Sequence, residues 1–171
     1  NNIVVSTVMS NYGFKQAIEK FNFDLIETPV GDKYVAEAMK KYDAALGGEQ
    51  SGHIIISDLL PVGDGLVTLI YVLKAMQHFG VALSDFKKEN LYEYPQKLTN
   101  LELENKLNDE ELEYINQIAL DMSIKKDLDG RYLIRNSGTE PLLRVLVEAK
   151  SNEAMEDFSN ELITKINKYL N

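Results

Sequence analysis

Between Ile3 and Ile56 the chain switches repeatedly from short β-branched runs to helically spaced apolar stripes, and this alternation limits the fold more than any other feature. Residues 3–8, Ile-Val-Val-Ser-Thr-Val, are short and β-branched, as a covered strand requires. After Gly13, apolar side chains fall at Phe14, Ala17, Ile18 and Phe21, which is helical spacing. A strand at 24–27 leads through Thr28-Pro29-Val30-Gly31 to a second stripe at Val35, Ala38, Met39 and Tyr42. Strands follow at 44–46, ending in Gly47-Gly48, and at 54–56. Beyond the Gly63-Asp64-Gly65 turn, residues 66–76 are apolar almost all round, which predicts a buried helix. Strands alternating with helices make an open α/β layer domain.

Residues 84–96 change character. They hold Lys87-Lys88-Glu89-Asn90 and Pro95 with little periodicity, and read as a connection. The pattern after them is strand, helix, strand, strand, helix, an α+β lobe with two helices on an antiparallel sheet. Asn108 is placed to cap its helix with Glu111 at the third position, and Leu107 and Leu112 are placed as a hydrophobic staple. Asp129-Gly130 is a tight-turn signal before a strand at 131–135, and 142–148 is another strand. Met155, Phe158, Leu162, Ile163, Ile166, Tyr169 and Leu170 stripe the last helix. The expected fold class is α/β: a truncated α/β layer domain at 1–85, a hinge or linker at 86–97, and a small α+β domain at 98–171.

Composition narrows the function. With 18 Lys plus Arg against 27 Asp plus Glu, the net charge of −9 argues against a nucleic-acid or anionic-membrane partner, both of which reward a basic surface. No apolar run approaches the roughly 20 residues that span a bilayer. The absence of Cys removes disulfides and thiolate metal sites, and a reducing cytoplasm is the expected setting. The chain opens on Asn1 rather than Met, with a core strand at once, which reads as a piece of something longer whose first lobe exposes apolar surface.

Two loops resist explanation as scaffold. In Gly47-Gly48-Glu49-Gln50-Ser51-Gly52-His53, three glycines allow close backbone approach to a ligand. Between them sit a carboxylate, an amide, a hydroxyl and an imidazole, the groups that hydrogen-bond a polyhydroxylated ligand; His53 is also able to shuttle a proton. The alternative is a Gly-rich turn with Glu49 simply exposed and His53 structural. The second loop is Arg135-Asn136-Ser137-Gly138-Thr139-Glu140-Pro141, followed by Arg144. All three Arg residues of the chain, at 131, 135 and 144, fall within fourteen positions, among fifteen lysines spread elsewhere. Guanidinium matches phosphate oxygens as a planar fork, Ser137 and Thr139 add hydroxyls, and Gly138 frees backbone N–H groups for an anion nest. A phosphate monoester is the natural ligand; the alternative is a strand-to-strand turn with surface ion pairs. Gly63-Asp64-Gly65 lacks the third glycine of a dinucleotide fingerprint, and Asp127-Leu128-Asp129-Gly130 lacks the later ligands of a calcium loop.

At these loops the sequence resembles the α-D-phosphohexomutase superfamily, and within it the bacterial phosphoglucosamine mutases. Thr7 to Asn11, Thr28 to Val35, Gly47 to His53 and Gly63 to Gly65 resemble the family's third domain in order and spacing, and Arg135 to Pro141 its fourth-domain phosphate loop. Gln50 leans toward the glucosamine branch. The resemblance implies interconversion of glucosamine 6-phosphate and glucosamine 1-phosphate through a phosphoserine and a bisphosphorylated intermediate, on the route to UDP-N-acetylglucosamine and the cell wall. It implies that Glu49, Ser51 and Lys33 meet the sugar. Arg135, Ser137, Gly138, Thr139 and Arg144 would hold the phosphate not being transferred, and His53 would assist acid–base chemistry. It also implies Mg2+ in the parent enzyme. The Thr-x-Ser-His-Asn-Pro phosphoserine loop and the Asp-Gly-Asp-x-Asp-Arg metal loop are both missing from this sequence, as is the third domain's opening helix. The chain is therefore expected to be the C-terminal part of the enzyme, with no metal site, partnered by the missing N-terminal domains and inactive alone. A phosphomannomutase or phosphoglucomutase of the same superfamily, or a non-catalytic sugar-phosphate-binding module, are the competing readings.

Overall fold

A computed structural model describes residues 2–170, which fall into two compact units divided between Glu93 and Tyr94. In the first, β1 (Ile3–Thr7) lies between β2 (Asp24–Thr28) and β3 (Leu46–Gly48), parallel to both, and β4 (Ile54–Ile56) runs antiparallel at the outside of β3. Helices α1 (Tyr12–Lys20), α2 (Asp32–Tyr42), α3 (Gly65–Phe79) and α4 (Leu83–Asn90) complete the unit. The α/β layer read from the alternation is the one observed. The stripe on α2 buries Val35 and Met39 against Val5, Ala44 and Ile55. Close packing of α2 on the sheet depends on Gly47, where a Cβ would run into Met39 Sδ and Val35 Cγ1.

Two expectations need correction. The first concerns α3, which is apolar nearly all round yet has no buried residue: Leu66 is 74% exposed, Phe79 68% and Leu73 53%. Its ends are well made: Asp64 Oδ1 accepts from the N–H groups of Leu66 and Val67 at 2.8 Å each, and Gly80 closes it at φ 66°. Helical pattern reports what a helix is able to bury, not whether anything covers it. The second concerns residues 84–96, read as a plain connection. Most of the stretch folds as α4, whose Phe86 stacks on Phe21, the residue that ends α1, with ring centroids 6.2 Å apart. A helix this short has too few turns to display a stripe, and a contact 65 positions away in sequence stabilises it.

In the second unit, β5 (Gln96–Glu102), β6 (Gly130–Asn136) and β7 (Leu142–Ala149) form an antiparallel sheet in the order β5-β7-β6. Helices α5 (Asp109–Lys125) and α6 (Asn152–Leu170) supply the rest of its core. Ile134, Leu143, Val145 and Val147 pack with Ile115, Ala119, Phe158, Leu162 and Ile166. The capping box on α5 is present as read: Glu111 N–H donates to Asn108 Oδ1 at 2.9 Å and Asn108 N–H to Glu111 Oε2 at 2.8 Å. Among the described residues no single helix is long and apolar enough to cross a membrane.

Candidate functional site

The two polar loops lie in different units and are described separately. Residues 49–53 join the ends of β3 and β4. The loop closes on itself: Glu49 N–H donates to His53 O at 2.9 Å, and Gly52 N–H to Glu49 O at 3.0 Å with Gly52 at φ 96°. This brings Glu49, Ser51 and His53 together. Ser51 Oγ lies 3.2 Å and Glu49 Oε2 3.4 Å from His53 Nδ1. Glu49 is not the exposed turn residue of the bland alternative, since its side chain is only 8% exposed and its Oε1 accepts from Gly31 N–H at 2.9 Å. That bond joins the 28–31 segment to this loop across 18 positions. Lys33, one step into α2, stays apart from the cluster, exposed and 3.9 Å from Glu37.

The second loop follows β6 into β7. Strand alternation decides where its cations point. Ile134 and Val145 face the helices, so their neighbours Arg135 and Arg144 project from the opposite face, and the register sets those two directly across from each other. Like charges facing across a sheet are unfavourable without an anion to share. Arg135 makes no side-chain hydrogen bond or ion pair among the described residues. Arg144 is within 3.7 Å of Glu140, while its Nε is buried without a partner. Ser137 is 2% exposed and its hydroxyl is likewise unpaired, although its N–H donates to Leu142 O at 2.8 Å. Buried polar groups left unmatched cost on the order of 1–3 kcal/mol each. Gly138 and Thr139 form the exposed tip.

Arg131 does not join this group. It pairs with the fully buried Glu148 four positions along the strands, roughly 13 Å away at the ordinary rise per residue. Clustering along the sequence had placed all three arginines together; a strand spreads them out. Two residues that the loop's own sequence does not mark, Lys106 and Leu107, bond to it. Lys106 Nζ donates to Gly138 O at 2.6 Å, adding a third cation to Arg135 and Arg144, and Asn136 exchanges hydrogen bonds with Leu107 O (2.8 Å) and Leu107 N–H (3.3 Å). No local motif marks Lys106, because its contact spans 32 positions. Among the described residues no group of three or more His, Asp or Glu side chains is placed to hold a metal ion.

Residues 1–94 match the family model described as phosphoglucomutase/phosphomannomutase, alpha/beta/alpha domain III, and residues 98–165 match that of the C-terminal domain of the same family. A Streptococcus agalactiae protein named phosphoglucosamine mutase is 46% identical over 157 residues, covering 91% of this chain and 35% of its own length. A Bacillus subtilis protein of the same name is 42% identical over 160 residues, covering 94% and 36%. The chain thus spans about 35% of the length of these curated relatives. The solved structure of Aspergillus fumigatus N-acetylphosphoglucosamine mutase in complex with GlcNAc-6P and magnesium shares the fold with a TM-score of 0.78, at 21% identity, covering 99% of this chain and 42% of that one.

Proposed function

This chain belongs to the phosphoglucomutase/phosphomannomutase family, and from that premise we propose that it forms the sugar- and phosphate-binding part of a phosphoglucosamine mutase. The whole enzyme would interconvert glucosamine 6-phosphate and glucosamine 1-phosphate. Arg135, Arg144, Ser137, Thr139 and the Gly138 backbone hold the phosphate that stays on the sugar. Glu49 and Ser51 accept and donate to sugar hydroxyls, Lys33 approaches from the start of α2, and His53 exchanges a proton with the reacting hydroxyl. The observation that carries the reading is the pair of facing arginines beside a buried, unpaired Ser137 hydroxyl, a donor set with unused capacity suited to one dianion. Holding a substrate at both ends positions the hydroxyl that reacts, and phosphoryl transfer depends chiefly on such positioning. Names of relatives at 46% and 42% identity support glucosamine as the sugar. The phosphoserine and the magnesium that such an enzyme uses are assigned to no residue of this chain, and the chain by itself is expected to lack mutase activity. A cytoplasmic setting accords with its lack of cysteine.

The test is titration of the 15N-labelled chain with glucosamine 6-phosphate. Amide shifts at 135–139 and 144 are expected, and Arg135→Ala should weaken binding at least tenfold. Shifts confined to residues away from both loops would overturn the assignment. Equal or stronger responses to mannose or glucose phosphates would move it to the sister activities.

A further inference from the structure

Glu49 is held from two sides, and the two contacts are chemically different. Its Oε1 accepts the Gly31 N–H at 2.9 Å, while its Oε2 lies 3.4 Å from His53 Nδ1. A carboxylate of ordinary charge accepts hydrogen bonds and donates none, so the contact with His53 holds only when Nδ1 carries the ring proton. Ser51, at 3.2 Å from the same nitrogen, is able to accept or donate and imposes no choice of its own. With the proton on Nδ1, a neutral imidazole has its free electron pair on Nε2. That nitrogen belongs to a side chain 62% exposed and makes no hydrogen bond among the described residues.

We propose that Glu49 is a positioning residue for His53: anchored through Gly31, it fixes the Nδ1–H tautomer and turns Nε2 outward as the nitrogen that takes a proton. What Nε2 acts on, a sugar hydroxyl, rests on the reading above. In that step the hydroxyl proton passes to Nε2, the ring becomes an imidazolium, and the Glu49 carboxylate lies against the new charge. The anchor matters as much as the charge. Gly31 N–H restrains one oxygen, so the other keeps its bearing on the ring, and the side chain is too well covered to swing into water. Two of the roughly four acceptor positions of the carboxylate are used in this way, which leaves capacity for a sugar hydroxyl.

The ring tautomer is read directly from two-bond 1H–15N correlations of the 171-residue chain, with the imidazole in its neutral form. His78, exposed near the end of α3, provides an internal reference. The wild-type chain is expected to show His53 mainly as Nδ1–H, and a majority of Nε2–H overturns the proposal. Glu49→Gln still offers Gly31 an acceptor but turns an amide N–H toward Nδ1, so the majority tautomer should invert; an unchanged tautomer in that variant also overturns the proposal. Ser51→Ala should keep Nδ1–H, and inversion there would assign the role to Ser51 instead. If Glu49→Gln does not fold, the wild-type and Ser51→Ala spectra decide. None of these readings depends on ligand, so a chain with the expected tautomers that ignores glucosamine 6-phosphate refutes the proposed substrate while leaving the positioning of His53 intact.

Discussion

Gly31 sits at φ 136° and ψ 130°, a conformation that L side chains rarely adopt, and its N–H is the one that meets Glu49. A side chain there also meets the Tyr34 ring, with a Cβ only 3.2 Å from Cδ2. Gly31→Ala is expected to cost about 1–3 kcal/mol, measured by urea unfolding, and to release the loop amides at 49–53 to faster hydrogen exchange. At this scale the sequence was readable where chemistry is written in residue type. Arginine occurs at only three positions, two of them flanking Ser-Gly-Thr, a residue set suited to phosphate, and the register sets Arg135 opposite Arg144. It was not readable where a role depends on a partner far along the chain. Glu49 meets Gly31 18 positions away, Asn136 meets Leu107 across 29, and Lys106 reaches Gly138 across 32. Arg131 lies close to Arg135 in sequence, but strand geometry carries it to Glu148.

Elements were legible in proportion to how much of their stabilisation is local. The start of α5 is written within four residues, Asn108 to Glu111, and forms as read. The helix α4 leans on Phe21 and has no local signature, while the pattern of α3 marks a helix without saying what covers it. The beginning of the second unit shows a further device hidden in the sequence. Tyr94 is buried, its hydroxyl donates to Asp129 Oδ1 at 2.9 Å, and Lys150 Nζ donates to Asp129 Oδ2 at 3.0 Å, tying the approach to β5 to the ends of β6 and β7. Lys150 first, and then Tyr94, hold the Asp129 carboxyl below its ordinary value of 3.8. A depressed carboxylate contributes stability above the unfolded value and loses it as the pH falls through the folded one. Tyr94→Phe keeps the buried ring and removes one bond, and should cost about 1 kcal/mol near neutral pH. The difference from wild type should begin to narrow as the pH falls below about 3.8, where Asp129 of the unfolded chain takes up its proton, and vanish once the folded carboxyl is protonated at lower pH. Thermal unfolding of both proteins across that range checks the sign.

For the whole molecule, a net charge of −9 is compatible with the proposed phosphate site because two of the three guanidinium groups, Arg135 and Arg144, stand opposite each other while the acidic residues are spread along the chain. Arg135 and Arg144 share one sheet face and Lys106 reaches the adjoining loop, so an anion meets local positive charge on an acidic protein. The uncovered α3 has a consequence of another kind, one that belongs to calorimetry. The heat capacity change of unfolding follows the apolar area newly given to water, typically 12–15 cal/mol/K per residue. At 171 residues that amounts to about 2.1–2.6 kcal/mol/K. Here Leu66, Leu69, Ile70, Leu73 and Phe79 face solvent before unfolding begins, so melting has less left to reveal. Scanning calorimetry should return a value below about 2 kcal/mol/K, with a correspondingly flattened stability curve, in which a given loss of enthalpy on cooling is spread over a wider span of temperature.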